Sequence, residues 1–273
     1  DLETAQALNR TQRHCQIHIF VDTGMHREGV PLSQLADFLS TLRELPNLQV
    51  VGLCSHFADA DGVDSKAKQH TDQQIKAFRM AGQMLQKHGH NPVWRHITAS
   101  AGTLKKLACR DCTMARVGLA SYGISPLANH EKAGLSMAEK LKPALQFTST
   151  IAQIKHMEKG DWIGYGATFT AKRRMRIALL PAGYNEGIDR RLSNTGCVYV
   201  RGVCCQIIGR VSMNMTSVDV TAVKGVAVGD QVEVFGTDLA RKNTIAAHAI
   251  SAQTIPYELL VHLASSVRRK LVP

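Results

Sequence analysis

Along the first half of the chain, apolar positions alternate between two periods. Residues 15–21, CQIHIFV, are apolar and β-prone, and Asp22-Thr23-Gly24 breaks them. From Pro31 to Leu45 the spacing is helical, with proline near the first turn and Leu, Phe and Leu recurring on one side. The unit then repeats: VVGLC (50–54) predicts a strand, and a helix follows over residues 65–88 and stops at Gly89. HIT (96–98) predicts a short strand ending at Ser100, and TMARV (113–117) another ending near Arg116 and Gly118. Such a succession implies parallel strands with crossover helices, in a doubly wound sheet or a β/α barrel. In both architectures function gathers at the C-terminal ends of the strands. The residues there are Asp22 with Arg27, His56, Ser100 and Arg116. A serine such as Ser100 ordinarily caps the following helix, but polar groups at successive strand ends point to a ligand. About four β/α units are present where a closed barrel needs eight, so either the sheet is open or further units precede Asp1.

From about Lys140 the pattern changes to short alternating segments broken by glycine: LQFTSTIAQI, the KGD turn, WIGYGATF, MRIALL, CVYV, CQIIGRVSM, SVDVT and VGDQVEVFG. This predicts a mostly antiparallel β domain, closed by helical stretches near 244–251 and 254–264. The expected division is residues 1–138 and residues 139–273. Tyr184 in PAGYNEG and Tyr257 in TIPYELL stand out in the second part.

At 273 residues and 44% hydrophobic, the chain can bury one large core or two medium ones. No eighteen-residue apolar run and no charged-then-apolar leader occur, so membrane insertion and secretion are not expected and the chain reads as soluble and cytoplasmic. The sequence starts at Asp1 with no initiator methionine, which suggests a piece of a longer product. A net charge of +11 raises nucleic-acid binding. However, the basic residues are spread out, with small clusters only at Lys172–Arg176 and Arg268–Lys270, and just 5% of residues are aromatic, so solvated basic faces are expected instead. Seven cysteines at irregular spacing fit a reducing compartment. Cys109 and Cys112 form a C-x-x-C, but no second pair or H-x₃-H completes four zinc ligands, and no metal is expected.

Seven ordered motifs, VDTGMHREGV, SHFADAD, ARVGLASYGISP, KGDWIGYGATF, PAGYNEG, GRVSMNM and TIPYELL, span nearly the whole chain. Together they resemble the alanine racemase family of pyridoxal-phosphate (PLP) enzymes. The resemblance implies a β/α barrel holding pyridoxal 5'-phosphate, a C-terminal β domain, and a head-to-tail homodimer with shared active sites. It implies interconversion of L- and D-alanine, supplying D-alanine for peptidoglycan. It also explains the half barrel, because in this family the first strands precede the region matched here. Carried over by position, Tyr184 is one of two bases on opposite faces of the substrate α-carbon, the minimum for moving a proton from one face to the other. A phenol with a free pKa of about 10 needs tuning for that task. Arg116 matches the arginine that donates to the pyridine nitrogen, where a group that cannot give up its proton leaves the ring a weaker electron sink and restrains transamination. His56 supports Arg116; Ser100, the backbone at Gly118 and Leu119, and Tyr257 form the phosphate cradle. Arg27, held by the Asp22-Thr23-Gly24 turn, and the backbone N–H of Met213 contact the substrate carboxylate.

The match also has departures. The family's PLP lysine, in a K-A-x-x-Y-G motif on the first barrel strand, has no counterpart; Lys105 and Lys106 lie on a presumptive helix without that context. The lysine is therefore expected upstream of Asp1, and these residues alone are expected to be inactive. Phe20 stands where the family often has a carbamylated lysine, so Arg27 must be positioned otherwise, by an anion or another side chain. Asn214 replaces an aspartate and so removes a negative charge; PAGYNEG replaces the commoner G-Y-A-D-G, and Val117 replaces a proline. Three alternatives remain open: a broader amino-acid racemase, a non-catalytic PLP-binding remnant, and a fold-related decarboxylase, for which an acid would be expected at Arg116.

Overall fold

The computed structural model describes residues 1–108, 110–127 and 136–272. These fall into two compact units, Asp1–Leu141 and Lys142–Pro273.

The first unit opens with α1 (Leu2–Arg10), whose N-terminus is capped by the Asp1 carboxylate accepting from the Thr4 N–H at 2.8 Å. Its strands are β1 (Cys15–Asp22), β2 (Val30–Pro31), β3 (Leu48–Cys54) and β4 (Trp94–His96). They form one parallel sheet in the order β2-β1-β3-β4. The helices are α2 (Leu35–Leu42), α3 (Ser65–Lys87) and α4 (Ser100–Leu104). Strand residues alternate between faces. On the helix-covered face, Ile19, Val21, Leu53 and Ile97 pack with Leu35, Leu39, Phe78 and Leu85 in one buried core. The opposite face carries His18, Phe20, Gly52, Cys54 and His96, which makes it the chemical face of the sheet.

Three expected elements differ. The helix expected from Pro31 is shorter, because Pro31 is extended (ψ 142°) and pairs with Asp22; a 3-10 turn at Leu32–Gln34 leads into α2. Pro46 then disfavours helical backbone at Leu45. Residues 113–117 are not a ladder strand. They lie against β4 and its continuation through single bonds, the Thr113 and Met114 N–H groups both to the Arg95 carbonyl and the Arg116 N–H to the Thr98 carbonyl at 3.0 Å. β4 itself ends at His96 rather than residue 98.

The second unit contains β5 (Phe147–Thr150), β6 (Gln153–Met157), β7 (Trp162–Ile163), β8 (Phe169–Thr170), β9 (Met175–Leu180), β10 (Cys197–Val200), β11 (Val203–Gln206), β12 (Thr216–Asp219) and β13 (Gln231–Phe235). Their sheet orders are β11-β10-β13-β5, β12-β9-β6 and β7-β8, with antiparallel pairing in each. Helices α5 (Ile245–Ser251) and α6 (Pro256–Val261) follow, with Pro256 opening α6. Among the described residues no helix is long and apolar enough to cross a membrane.

Candidate active site

At the C-terminal end of the parallel sheet, Arg116 reaches four acceptors. Its NH1 donates to His96 Nδ1 and to the His96 carbonyl (3.2 Å); its NH2 donates to the Ser55 carbonyl (2.6 Å) and to His56 Nδ1 (2.9 Å). Among the described residues the fifth donor, Nε–H, has no hydrogen-bond partner and no carboxylate is within ion-pair distance of the guanidinium. Both imidazoles sit beside this cation in partly desolvated positions. Burial first, then Arg116, lowers the His56 pKa, and the same two causes bring that of His96 to about 4. Both rings are therefore neutral near pH 7. Burial pushes the Cys54 thiol up to about 11, which makes it inert.

The turn after β1 is built on Asp22, whose Oδ1 accepts from the N–H groups of Gly24 (2.9 Å), Met25 (3.1 Å) and His26 (3.1 Å). Burial alone would raise the Asp22 pKa, but these bonds bring it below its usual value. Buried Gln74 of α3 ties this turn to the one after β3, donating to Thr23 Oγ1 (3.1 Å) and the His56 carbonyl (2.9 Å) while accepting from the Ala58 N–H (2.9 Å). Arg27 projects from the turn as a half-exposed fork paired in two places with the Glu28 carboxylate. Of the two positioning groups expected beside Phe20, the side chain that Arg27 meets among the described residues is Glu28. Phe20 itself lies against Gly29, whose φ of +107° and lack of a side chain admit the ring.

Ser100, buried at the start of α4, accepts at Oγ from the N–H groups of Gly118 and Ala120, both at 3.2 Å, which leaves its hydroxyl hydrogen free to donate. Leu119 starts a 3-10 turn directly after Gly118. Lys105 caps the end of α4 and donates to the Gly62 carbonyl at 3.1 Å, and Lys106 adopts φ +54° in the turn beyond. Cys109 lies outside the described residues, and burial raises the Cys112 thiol.

In the second unit, β9 runs into the turn that carries Tyr184. The Tyr184 N–H donates to the Ser212 carbonyl (3.1 Å) and the Asn185 N–H to the Met213 carbonyl (2.9 Å), so Tyr184 and Met213 stand on adjoining turns. Glu186 gathers the turn, accepting from the Gly183 N–H (2.8 Å), Asn185 Nδ2 (3.0 Å) and Asn214 Nδ2 (2.8 Å). Gly183 has no room for a side chain: a Cβ would lie 2.1 Å from the Ser212 carbonyl oxygen. Tyr184 and Met213 are both exposed. Tyr257 lies in the first turn of α6, next to Glu258. Arg191 links α6 to the segment after Tyr184, pairing with Asp189 (2.6 Å) and Glu258 (2.8 Å). With His262, these two carboxylates are the one group of potential metal ligands among the described residues, and Arg191 already pairs with both.

Sequence reasoning did not single out His96, His18, Glu28 or Glu186. Strand parity was an available signal for His18, which falls on the same face of its predicted strand as Phe20; His96 shares that face only through the pairing of Cys54 with His96.

Residues 1–126 match the family model described as alanine racemase, N-terminal domain, and residues 144–271 match alanine racemase, C-terminal domain. The chain is 37% identical over 274 residues to the alanine racemase of Geobacter sulfurreducens, covering 98% of this chain and 70% of that protein. It is 34% identical to that of Methanococcus maripaludis, covering 94% and 67%. Among solved structures it is similar to the alanine racemase of Bacillus anthracis with bound L-Ala-P (TM-score 0.85, 29% identity, 97% of this chain and 67% of that chain). It is also similar to that of Bartonella henselae with covalently bound pyridoxal phosphate (TM-score 0.78, 25% identity, 97% and 68%). The parallel sheet is accordingly part of a β/α barrel, followed by a mostly β domain, and the chain belongs to the alanine racemase family.

Proposed function

We propose that this chain carries most of the active site of a PLP-dependent isomerase that interconverts L- and D-alanine. In this reading residues 1–138 hold the cofactor and residues 139–273 bring the phenol to the substrate. The observation that carries it is the donor set at Arg116. A pyridine nitrogen offers a lone pair, and the free Nε–H of Arg116 is an orphan donor held by four uncharged acceptors. Ser100 has a hydroxyl hydrogen to give to a phosphate dianion, and the turn that starts at Gly118 and Leu119 lies beside it, with the Gly118 and Ala120 N–H groups already donating to Ser100 Oγ. The residues of the first unit therefore fit the cofactor, and we assign Tyr257 as a further contact to the phosphate on the match of its TIPYELL motif.

When bound, PLP supplies an electron sink that acidifies the α-hydrogen of alanine. This chain's residues do the rest. Arg116, which cannot give up its proton, leaves the pyridine nitrogen unprotonated and so limits how far the ring withdraws electrons, favouring return of the proton to carbon over loss of the amino group. Arg27, whose Nε and NH2 donate to Glu28, meets the substrate carboxylate through its remaining donors or in exchange for Glu28, with the backbone N–H of Met213 as the second contact. The Tyr184 phenol oxygen takes or returns the proton on one face of the α-carbon, and a second base is needed on the other. His56 supports Arg116 through Nδ1. We further propose a cytoplasmic homodimer in which the β domain of one copy completes the site of the other, with the D-alanine directed to peptidoglycan.

The test is Arg116→Glu in the holoenzyme, following D-alanine and pyruvate from L-alanine together. A carboxylic acid at the pyridine nitrogen should raise transamination relative to racemisation by about tenfold or more. An unchanged ratio would overturn the assignment of Arg116. Sedimentation at varied concentration tests the dimer.

A further inference from the structure

A guanidinium has only donors, so every imidazole nitrogen it touches must present a lone pair. Arg116 donates to Nδ1 of both His96 and His56. A neutral ring accepting at Nδ1 carries its hydrogen on Nε2. In His96 that nitrogen lies 2.9 Å from Nδ1 of His18. His18 Nδ1 is then the acceptor in its turn, and its own hydrogen is on Nε2. The bonds run in one direction, from Arg116 to His96 to His18.

The sheet is shaped to admit this contact. β3 lies between β1 and β4, so His18 and His96 are not on neighbouring strands. The register of β1 against β3 shifts between Ile17 and His18, which sets His18 opposite Gly52. A Cβ on Gly52 would lie 2.3 Å from His18 Cγ, so the imidazole occupies the space that a side chain there would fill. The two rings meet with centroids 5.1 Å apart, tilted by 48°.

We propose that His18 is a positioning residue for Arg116: by accepting the Nε2–H of His96 it fixes the tautomer whose Nδ1 holds Arg116, and so the direction of the free Nε–H. The proposal rests on the reading of Arg116 given above. Burial and the adjacent cation favour neutral His96, as the one-way chain requires.

The experiment is ¹⁵N spectroscopy of the imidazoles in the histidine-labelled holoenzyme, because ring-nitrogen shifts report which nitrogen carries hydrogen. In the wild type, His96 and His56 are expected as Nε2–H tautomers. His18→Leu removes the acceptor; His96 should then populate both tautomers, and transamination should gain on racemisation by about fivefold. His18→Asn places an amide oxygen near the former Nδ1 and should restore both properties. Gly52→Ala should reproduce His18→Leu with the histidine still present. A wild-type His96 with its hydrogen on Nδ1, or a His18→Leu variant with an unchanged His96 tautomer, would overturn the proposal. The tautomer readout needs no turnover, whereas failure of the racemase reading would show as wild-type protein that neither racemises nor transaminates.

Discussion

Around Arg116 two carbonyls and two imidazoles, none of them charged, take four N–H bonds of a cation, whereas the turn carrying Tyr184 is gathered on one carboxylate, Glu186, which accepts from a backbone N–H and two side-chain amides. The difference follows from what each side chain is for. Arg116, read as the donor to an uncharged nitrogen, keeps its charge because its supports are neutral dipoles, whereas Arg27, read as facing a carboxylate, is paired with the Glu28 carboxylate. The Tyr184 phenol has to be held in place by its backbone, and the charge of Glu186 can be used up locally on amides. The first arrangement fails when its supports acquire charge, and the second when its turn changes shape.

The largest expected effect is of acid on the buried histidines, one in each unit. His96 and His248 both have pKa values near 4, lowered by burial first, from an ordinary 6.5. The unfolded chain thus binds these protons more tightly than the folded one. Their contribution to stability is intact above about pH 6.5 and is lost progressively as pH falls towards 4, on the order of 3 kcal/mol for each ring. Urea midpoints at pH 7.5 and 4.5 measure the loss. His96→Gln should remove part of it from the first unit and His248→Gln part from the second, where the ring's Nε2 bonds the Cys197 carbonyl at 2.8 Å and its Nδ1 has no partner among the described residues. If both variants titrate like the wild type, the acid sensitivity has another source.

Second in size is Gly183→Ala. The atoms that a Cβ would strike, the Ser212 and Met213 carbonyl oxygens at 2.1 and 2.5 Å, are all backbone, so no side chain can swing away. The turn must move, at a cost of about 2 kcal/mol. A shift of about 1 Å at Tyr184 is enough to lower kcat about 100-fold. Chemical denaturation and steady-state kinetics on the holoenzyme check both figures. A stable, fully active variant would mean that the phenol does not depend on this turn.

The periodicities of the sequence made both units legible, because each buries one face of its elements and so writes a period of two or of 3.6 into the chain. Arg27, His56 and Ser100 stood out because they follow strands, where polar residues break an apolar run, and Arg116 stood out only through the strand expected at 113–117. His18 was hidden inside such a run, CQIHIFV, and its role depends on a register shift and on a glycine thirty-four positions away, information that exists only in the paired sheet. The segment 113–117 misled because β-prone residues there meet β4 through single hydrogen bonds rather than a ladder. Glu186 was visible in PAGYNEG, but its partner Asn214 is remote in sequence and was read only as a missing charge.

That pairing supplies the smallest and sharpest test. Asn214 donates to Glu186 Oε1 at 2.8 Å, and an aspartate in its place would set a carboxylate against a carboxylate. Burial alone would raise the Glu186 pKa; the amides of Asn185 and Asn214 and the Gly183 N–H bring it below its usual value. Asn214→Asp replaces one of these donors with a like charge and should raise the Glu186 pKa. Because Asn214 is exposed, solvent screens most of the repulsion, and the expected loss is about 0.5 kcal/mol at low salt, shrinking as salt is added. Asn214→Ser, which loses the bond without adding charge, separates the two effects: thermal unfolding should show a salt-dependent deficit for the aspartate variant and a salt-independent one for the serine variant. Identical salt behaviour would mean that Asn214 matters only for packing and that the turn's charge is not balanced at Glu186.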